Sequence, residues 1–379
     1  MIPWLLLLQI FSFLLLFLFL LNCLTNLWAL QKLGTFPAPK KFPRLSILVP
    51  ARNEEKSIKK CIFSLLNQDY PDFEVLVLND HSTDRTGEIL AKIKNPKLKV
   101  FSGQPLPKDW LGKHWACHQL TKKATGELFL FTDADTYHHP SALKAAVSAL
   151  LYEKADFISA LPKEKALTLS ELLVIPVLSW SLLTFVPLAL AKRTKIPSLS
   201  ATIGQFMLFK KEAYYQIGGY SAIRNQVLDD VTFGRRIKAY GLKWRIYDGS
   251  KYIVCRMYTN FKELSEGMTK SMFPIFKNLI YFFFVWFFLV WTFLGPFLIL
   301  LLHLFIPVSP FFLYLALASI ALTFLTWLIS NLRFGYPFLL SFLYPLIIAS
   351  LAYLSYLSMV YALAGKLTWK GRPIKIFNF

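Results

Sequence analysis

From Trp4 to Leu30 the chain carries no charged residue. An apolar run of that length is about what a helix needs to cross the roughly 30 Å hydrocarbon layer of a bilayer. A cleavable signal peptide is the rival reading, but no Lys or Arg precedes the run and it is too long for a signal core. Cys23 lies inside it, yet Leu21-Asn22 does not look like a lipoprotein cleavage site. The run reads as a membrane anchor over 1–31. Three further runs, Leu279 to Ile306, Phe311 to Ser330 and Tyr336 to Gly365, are nearly uncharged and rich in Phe, Leu and Trp. Each is long enough to span, which predicts a membrane region over 276–365. A basic tail follows over 366–379.

The high apolar share (55%, with 35 Phe and 10 Trp) comes from these two ends. Between them lie roughly 250 residues of globular composition, enough for one α/β domain. The formal charge of +20 needs a partner of opposite sign. Lys32, Lys40, Lys41 and Arg44 follow the first span, which by the positive-inside rule puts that side in the cytoplasm. The remaining excess suits a domain resting on anionic lipid. A nucleic-acid binder would instead gather its cations and aromatics on a groove, so no nucleic-acid partner is expected. Cys23, Cys61, Cys117 and Cys255 show no paired spacing and read as free thiols. Thr35 to Pro43, with three prolines, reads as a linker.

Within the globular stretch, apolar runs at Leu45 to Val49, Glu74 to Leu78, Lys99 to Phe101 and Leu128 to Phe131 read as strands, the first ending at Pro50. Helical spacing at Glu54 to Asn67, Thr83 to Ile93 and Lys113 to Ala124 falls between them. Such alternation predicts a mostly parallel sheet with crossover helices. Ligands of such sheets bind at the carboxyl ends of the strands. Three of those ends carry reactive groups: Pro50-Ala-Arg-Asn-Glu54, Asn79-Asp80 and Asp133-Ala-Asp135. Two carboxylates two residues apart after a strand are a compact way to hold Mg²⁺ or Mn²⁺ against a diphosphate, since hard cations take oxygen ligands shared with substrate phosphates. One such loop is as well explained by solvation. Three on one sheet edge are not.

These stretches resemble the family 2 glycosyltransferases of the GT-A fold. The matching segments are Ser46 to Glu54, Leu78-Asn-Asp-His-Ser-Thr-Asp84, Gly126 to Thr136 and Leu228-Asp-Asp-Val-Thr-Phe-Gly-Arg-Arg236, in the family's order. Gly112-Lys-His-Trp-Ala-Cys-His-Gln119, Gly204-Gln-Phe-Met207, Ile217-Gly-Gly-Tyr220, Arg256-Met-Tyr258 and Trp369-Lys-Gly-Arg372 are similar to a membrane-anchored subgroup acting on lipids. That subgroup includes enzymes for carotenoid acids, hopanoid-associated ones and, more distantly, ceramide glucosyltransferases. The resemblance implies an α/β GT-A domain over 44–275 and a UDP-sugar donor. It implies that Pro50, Ala51, Asn53, Glu54 and Asp80 hold the nucleoside, with Lys113 and Asp133 also on the donor. Asp133 and Asp135 would meet the cation. Asp230 would be the catalytic base, beside Asp229, where the family has Glu. Gln205, Arg256, Tyr258, Lys270, Trp369 and Arg372 fall on the acceptor or diphosphate side. Processive and several lipid-directed relatives carry a Gln/Arg-x-x-Arg-Trp motif after the base. Here Glu266-Gly-Met-Thr-Lys270 stands in its place, which disfavours a polysaccharide synthase.

The chemistry asks for two separated carboxylate groups, one at the cation under the departing diphosphate and one taking the acceptor's proton. Helix N-capping is the plain alternative for Asp229-Asp230. His114, Cys117 and His118 at helical spacing suggest a transition-metal site but lack a fourth ligand. His138-His139 either adds a cation ligand or forms a solvated turn before Pro140. The segment 172–191 is apolar but broken by Pro176 and Pro187. It reads as an interfacial helix at the entry for a lipid acceptor, with a buried core helix as the alternative. One anchor and three spans would put the basic tail (Lys366, Lys370, Arg372, Lys375) outside, against the positive-inside rule. A re-entrant segment, or a hairpin within the last run, would remove that conflict. The remaining readings are a non-processive transferase acting on a carotenoid, isoprenoid or other membrane lipid, a polymer synthase, and a non-enzymatic lipid-binding protein.

Overall fold

The computed structural model describes residues 3–276 and 278–374, so Lys375 and the end of the basic tail lie outside it. Its elements in chain order begin with α1 (Pro3–Ala29), β1 (Leu45–Ala51), α2 (Ile58–Leu66), β2 (Phe73–Asn79), α3 (Thr86–Ala91) and β3 (Leu98–Ser102). Next come α4 (Gly112–Thr121), β4 (Leu128–Phe131), β5 (Thr136–His138), α5 (Ala142–Tyr152), β6 (Phe157–Leu161) and β7 (Lys163–Glu164). They continue with α6 (Leu169–Leu172), α7 (Pro176–Phe185), α8 (Leu188–Arg193), β8 (Met207–Lys210), α9 (Lys211–Gln216) and α10 (Asp229–Ala239). The chain closes with β9 (Trp244–Asp248), β10 (Ile253–Cys255), α11 (Phe261–Met272), α12 (Leu279–His303), α13 (Pro310–Phe334), α14 (Tyr344–Leu363), β11 (Thr368–Trp369) and β12 (Arg372–Pro373). Packing divides it into two compact units. One is Leu30–Lys165 with Leu188–Met257, and the other is the remainder.

The first unit is built on a seven-stranded sheet in the order β3-β2-β1-β4-β8-β6-β9. All neighbours are parallel except β8, which opposes both β4 and β6. Leu45, Ile47, Leu48, Val49 and all of β4 are buried, as strands covered on both faces must be. The edge strand β3 instead carries Lys99 and is largely exposed, which discourages further pairing. Strand order reverses beside β1, between β2 and β4, and such a reversal opens a crevice at the strands' carboxyl ends.

The expected stop at Pro50 is not observed, because β1 continues through Ala51 in register with Asn79. The ladder with β4 ends at Leu48, and Ala51 turns its carbonyl to Asp80 on the β2 side. Pro50 therefore points its missing N–H to the side where no partner remains. At the opposite end of the sheet Glu74 ties three strands together. It accepts hydrogen bonds from Ser46 Oγ (2.8 Å), from Thr125 N–H and hydroxyl, and from Lys99 Nζ (3.0 Å). Burial alone would raise its pKa, but these donors hold it down at about 2.

Short strands form a second sheet, β5-β10-β7, immediately after Asp135. Helices are shorter than the periodicity suggested. The Glu54–Asn67 pattern becomes a loop followed by α2, since Glu54 and its neighbours bond across to the β2 loop instead.

The second unit holds four helices long and apolar enough to cross a membrane, α1, α12, α13 and α14. Helix α11, placed by sequence within the domain over 44–275, packs here on α14. The apolar 172–191 segment is not one element. Helix α7 belongs to this unit, whereas α8 belongs to the first. Ten residues of helix rise only about 15 Å, too short to span. Trp180 of α7 stacks on Trp327 of α13 (4.5 Å, 12°) and donates to Thr326 Oγ1. The last carbonyls of α7 accept from the side chains of Asn22 and Asn26, which satisfies a helix end that would otherwise be unpaired.

Helix directions follow from the contacts. Gln9 of α1 bonds Ser319 of α13 (3.0 Å), and Leu16 shares one buried cluster with Trp327, so these two helices run the same way. Helix α12 opposes α13, to which the short link 304–309 joins it, and Ile299 and Phe312 share one buried cluster. Helix α14 also opposes α12, through Tyr344 on Phe297, Trp286 Nε1 donating to Ala352 O, and Met359 on Phe282.

Consecutive helices α13 and α14 therefore point in one direction, and the link between them must double back. Gly335 ends α13 at φ 75°, in the left-handed region, and Tyr336 N–H caps Asn331 O. Asn331 then holds Ser341, and Phe342 packs on Phe324 (4.7 Å). The chain doubles back over 335–343, at the start of the last apolar run, and so brings the tail to the end where α12 begins. There Trp369 lies over Lys270 of α11, 3.3 Å from Nζ to ring centroid, and Thr368 bonds Glu266.

This arrangement is open to a direct test. Cysteines introduced at Ile306, between α12 and α13, and at Lys370 should react with a membrane-impermeant maleimide from opposite faces of sealed vesicles. Labelling of both from one face would overturn the helix directions.

Candidate active site

Two loops leave the carboxyl ends of β1 and β2 and are stitched together. Arg52 Nη1 donates to Asp80 O (2.7 Å) and His81 O (3.0 Å). Asn53 takes a left-handed φ of 52°, which Asn tolerates, receives Thr83 N–H on its Oδ1 and donates its own N–H to Ser82. Glu54 N–H is bound by Thr86 Oγ1 (2.7 Å). Asp80 is buried beside these groups, with Oδ1 3.4 Å from His81 Nδ1. Pro50, Ala51, Asn53, Glu54 and Asp80 thus form one rigid rim.

The loop after β4 is held from below. Thr132 Oγ1 donates to Gln205 O (2.7 Å), and Thr136 and His138 Nε2 complete a buried polar cluster. Thr136 N–H and hydroxyl both reach Asp133 O. His138 does not form a solvated turn. It is 1% exposed, and burial pushes its pKa down to about 3, so it stays neutral within this support. Only His139 is exposed.

Above this support Lys113, in the first turn of α4, lies 2.8 Å from Asp133 Oδ1 and 3.5 Å from Asp229 Oδ2. It joins two motifs far apart in sequence. Burial would lower the ammonium's pKa, but the charges of Asp133 and Asp229 outweigh it and hold it well above the usual value. Asp229 and Asp230 then diverge. Burial works against ionising Asp229, yet Lys113, His114 and the Tyr220 hydroxyl (3.0 Å) keep it below the ordinary range. Asp230 is raised, first by burial and then by the charge of Asp229. The N–H groups of Val231 (2.7 Å) and Gly204 (3.2 Å) offset this only in part. Pairs of carboxyls driven apart in this way are the usual basis for dividing an acid from a base. Plain capping does not describe them, because the N-cap of α10 is Leu228 and both Asp residues lie within the first turn.

Tyr220 and Glu164 are the residues that sequence reasoning missed as site members. Two left-handed glycines, Gly218 (φ 82°) and Gly219 (φ 51°), turn the chain so that Tyr220 reaches Asp229. A Cβ on Gly219 would stand 2.5 Å from the Tyr214 ring. The Gly-Gly-Tyr pattern was the signal available for Tyr220. Glu164 had none, since it sits in a two-residue strand. It accepts from Gln205 Nε2 (3.0 Å), and its pKa is pushed up to about 8 by burial, with the charges of Asp135 and Asp133 adding to it.

His114, Cys117 and His118 do not converge. His114 is buried against Tyr220 and Arg224 O, whereas His118 packs on Trp110 and Trp115. Of the acceptor-side residues, Gln205 and Arg256 lie in this unit, Arg256 directly after β10. Tyr258, Lys270, Trp369 and Arg372 lie in the other. Tyr258 is buried so closely that a Cβ on Gly267 would be 2.3 Å from its ring. Arg372 pairs with Trp369 across the β11–β12 ladder.

The donor set fits a hard divalent cation. Asp133 and Asp135 supply carboxylate oxygens at a crevice, and Mg²⁺ or Mn²⁺ is commonly held by one or two carboxylates completed by substrate phosphates. Among the described residues no cluster of three or more His, Cys, Asp or Glu forms an all-protein cage.

A mixed, mostly parallel sheet with paired carboxylates at its switch point defines a GT-A glycosyltransferase fold. The profile of Glycosyl transferase family 2 matches residues 46–218, so this part of the chain is similar to that family's domain. The 4,4'-diaponeurosporenoate glycosyltransferases of Staphylococcus aureus strains USA300 and MRSA252 are 27% and 28% identical over 232 residues. The match covers 60% of this chain and 60% of each relative, so the chain aligns with about three fifths of their length. A solved structure described as a mannosyltransferase from Pyrobaculum calidifontis in complex with GDP-Man and Mn²⁺ superposes with a TM-score of 0.53 at 18% identity. It covers 93% of this chain and 99% of that one.

The split within the Asp229–Asp230 pair has a spectroscopic consequence. Infrared titration of the solubilised protein should reveal two carboxyl groups, Glu164 and Asp230, titrating well above the ordinary value of about 4. Asp230→Asn should remove one of the two bands and Glu164→Gln the other, and Lys113→Met should move the Asp230 band to still higher pH, because Lys113 lowers both members of its pair. Two bands left unchanged by Asp230→Asn would overturn the assignment.

Proposed function

We propose that the protein is an inverting, metal-dependent, non-processive glycosyltransferase that moves a sugar, with glucose the default, from a UDP-sugar to a membrane lipid. The observation that carries this reading is Lys113 binding Asp133 and Asp229 together, with the raised Asp230 beside them. It joins a cation-and-diphosphate end to a proton-accepting end within one crevice.

The rim of Pro50, Ala51, Asn53, Glu54 and Asp80 binds the uridine. Asp133 and Asp135 hold Mg²⁺ or Mn²⁺ when it is bound, and the ion supplies Lewis-acid stabilisation of the charge on the leaving diphosphate. Lys113 orients Asp133 and keeps Asp229 ionised. Asp229 in turn raises the basicity of Asp230. An acceptor hydroxyl loses its proton to an Asp230 oxygen as it attacks the anomeric carbon from the face opposite the diphosphate, and the anomeric C–O bond breaks. One base and one displacement give inversion. Support for a lipid acceptor comes from the four membrane-length helices and from the carotenoid-acid relatives. A carotenoid-type or other isoprenoid acceptor is favoured on that ground. The catalytic domain is placed on the cytoplasmic side, following the basic run after the first span.

Two measurements test this. UDP with Mn²⁺ should raise the melting temperature of the solubilised protein, and Asp135→Ala should abolish the metal-dependent part of that rise. Metal-independent turnover by the wild type would refute the cation assignment. With a hydroxyl acceptor Asp230→Asn should cost about 10²- to 10⁴-fold in turnover. Activity should fall on the acid side as Asp230 gains its proton, at a pH above the ordinary carboxylate range. With a carboxylate acceptor, which is already ionised, the same substitution should cost far less. Donors UDP-glucose, UDP-GlcNAc and GDP-mannose, tried in parallel, identify the sugar and base.

A further inference from the structure

Strand β6 is buried along its whole length, and a strand covered on both faces is normally apolar throughout. Ser159 at its centre breaks that pattern and is 0% exposed. A hydroxyl taken out of water costs stability unless it is bonded, so its partners are informative.

Both partners belong to one residue. Ser159 Oγ accepts the N–H of Ile203 (2.9 Å) and donates to the Ile203 carbonyl (3.2 Å). Ile203 opens a tight turn into β8. Phe206 N–H returns to Ile203 O (3.2 Å), and Phe206 O accepts from Ala160 N–H (3.3 Å), so both ends of the turn are fastened to β6. Gly204 and Gln205 form its tip.

The peptide joining Ile203 to Gly204 transmits the effect. It is planar and trans, so its C=O and N–H point to opposite sides. With the carbonyl held by Ser159 and Phe206, the Gly204 N–H faces the other way and meets Asp230 Oδ2 (3.2 Å). A Cβ on Gly204 would stand 3.5 Å from Asp230 Oδ2 and 3.7 Å from Lys113 Nζ. The tip of the turn therefore lies directly against Asp230 and the neighbouring cation.

We infer that Ser159 is a positioning residue of the transfer reaction, which through the Ile203–Gly204 peptide aims a backbone N–H at the Asp230 carboxylate and holds that base ready for the acceptor's proton. This inference rests on the transferase reading above, in which Asp230 is the base. An N–H aimed at a carboxylate favours its ionised form. Of the charged groups beside Asp230, Asp229 opposes ionisation and Lys113 favours it. Both stay in place when Ser159 is changed, so loss of the aimed N–H leaves Asp230 harder to ionise.

The test uses the full-length solubilised protein with UDP-glucose, Mn²⁺ and a C20 polyisoprenoid alcohol as hydroxyl acceptor. Ser159→Ala removes both bonds and adds no bulk. It should move the acid limb of turnover to higher pH by about 1, the scale of one weakened bond to a charged group, and so cut the rate on that limb about tenfold. At alkaline pH, where Asp230 is ionised in both proteins, the loss should disappear. KM for the donor should stay unchanged, since the rim assigned to the uridine is built on β1 and β2. Ser159→Cys, of similar shape but a weak hydrogen-bonding partner, should move the limb the same way. In both variants the infrared band that Asp230→Asn removes should move to higher pH with the limb. An equal loss at every pH, or an unmoved band, would overturn the inference. A wild type that transfers no sugar would sink the transferase reading, and the band would still decide whether Ser159 acts on Asp230.

Discussion

The ammonium of Lys113, set between Asp133 and Asp229, is the contact on which the crevice depends. Two carboxylates from distant parts of the chain would repel each other and would each resist burial. A single cation between them relieves both costs, and the short approach to Asp133 (2.8 Å) fixes the loop after β4 relative to the start of α10. Lysine suits this place because its ammonium is a compact point charge that can serve two partners at once.

From that contact the protonation pattern follows. Lys113 and Tyr220 keep Asp229 charged, and the persistent charge of Asp229 then makes the neighbouring Asp230 hard to ionise. Each supporting group is fixed by backbone rather than by chance rotamers. Gly218 and Gly219 aim Tyr220, while Gly204 and Val231 offer N–H groups to Asp230. Beneath the opposite carboxylates, Thr132, Thr136 and the neutral His138 provide a dry polar floor. A charged imidazole there would repel the cation that Asp133 and Asp135 are suited to hold.

The membrane half obeys a different constraint, since polar groups among apolar helices must find one another. Asn22 and Asn26 accordingly cap α7, Trp180 reaches Thr326, and Asn331 fastens the link that doubles back. These few bonds determine helix direction where uniformly apolar surfaces could slide. They explain how a chain with four long apolar helices brings its basic tail back to the start of α12.

Much was legible in the sequence because the relevant physics is local. Uncharged runs declared the four long helices, and continuous apolar strands ending in carboxylates declared a mostly parallel sheet with its ligand edge. Strand β4 was delimited to the residue. Other features were beyond reach for identifiable reasons. Pro50 stays within β1 because a neighbouring ladder happens to end two residues earlier. Glu164 joins the carboxylates through a two-residue strand too short to leave a pattern. The helical spacing of His114, Cys117 and His118 suggested convergence, yet their side chains diverge into different surroundings. The direction of α14 depends on a fold-back that hydropathy cannot register. Composition and periodicity by themselves determined which segments are long and apolar enough to cross a membrane, which form the sheet, and which residues carry charge at its edge. Only the tertiary structure decided which charges meet, because Lys113, Asp133 and Asp229 lie far apart along the chain and their pairing is a property of packed distance and shared burial.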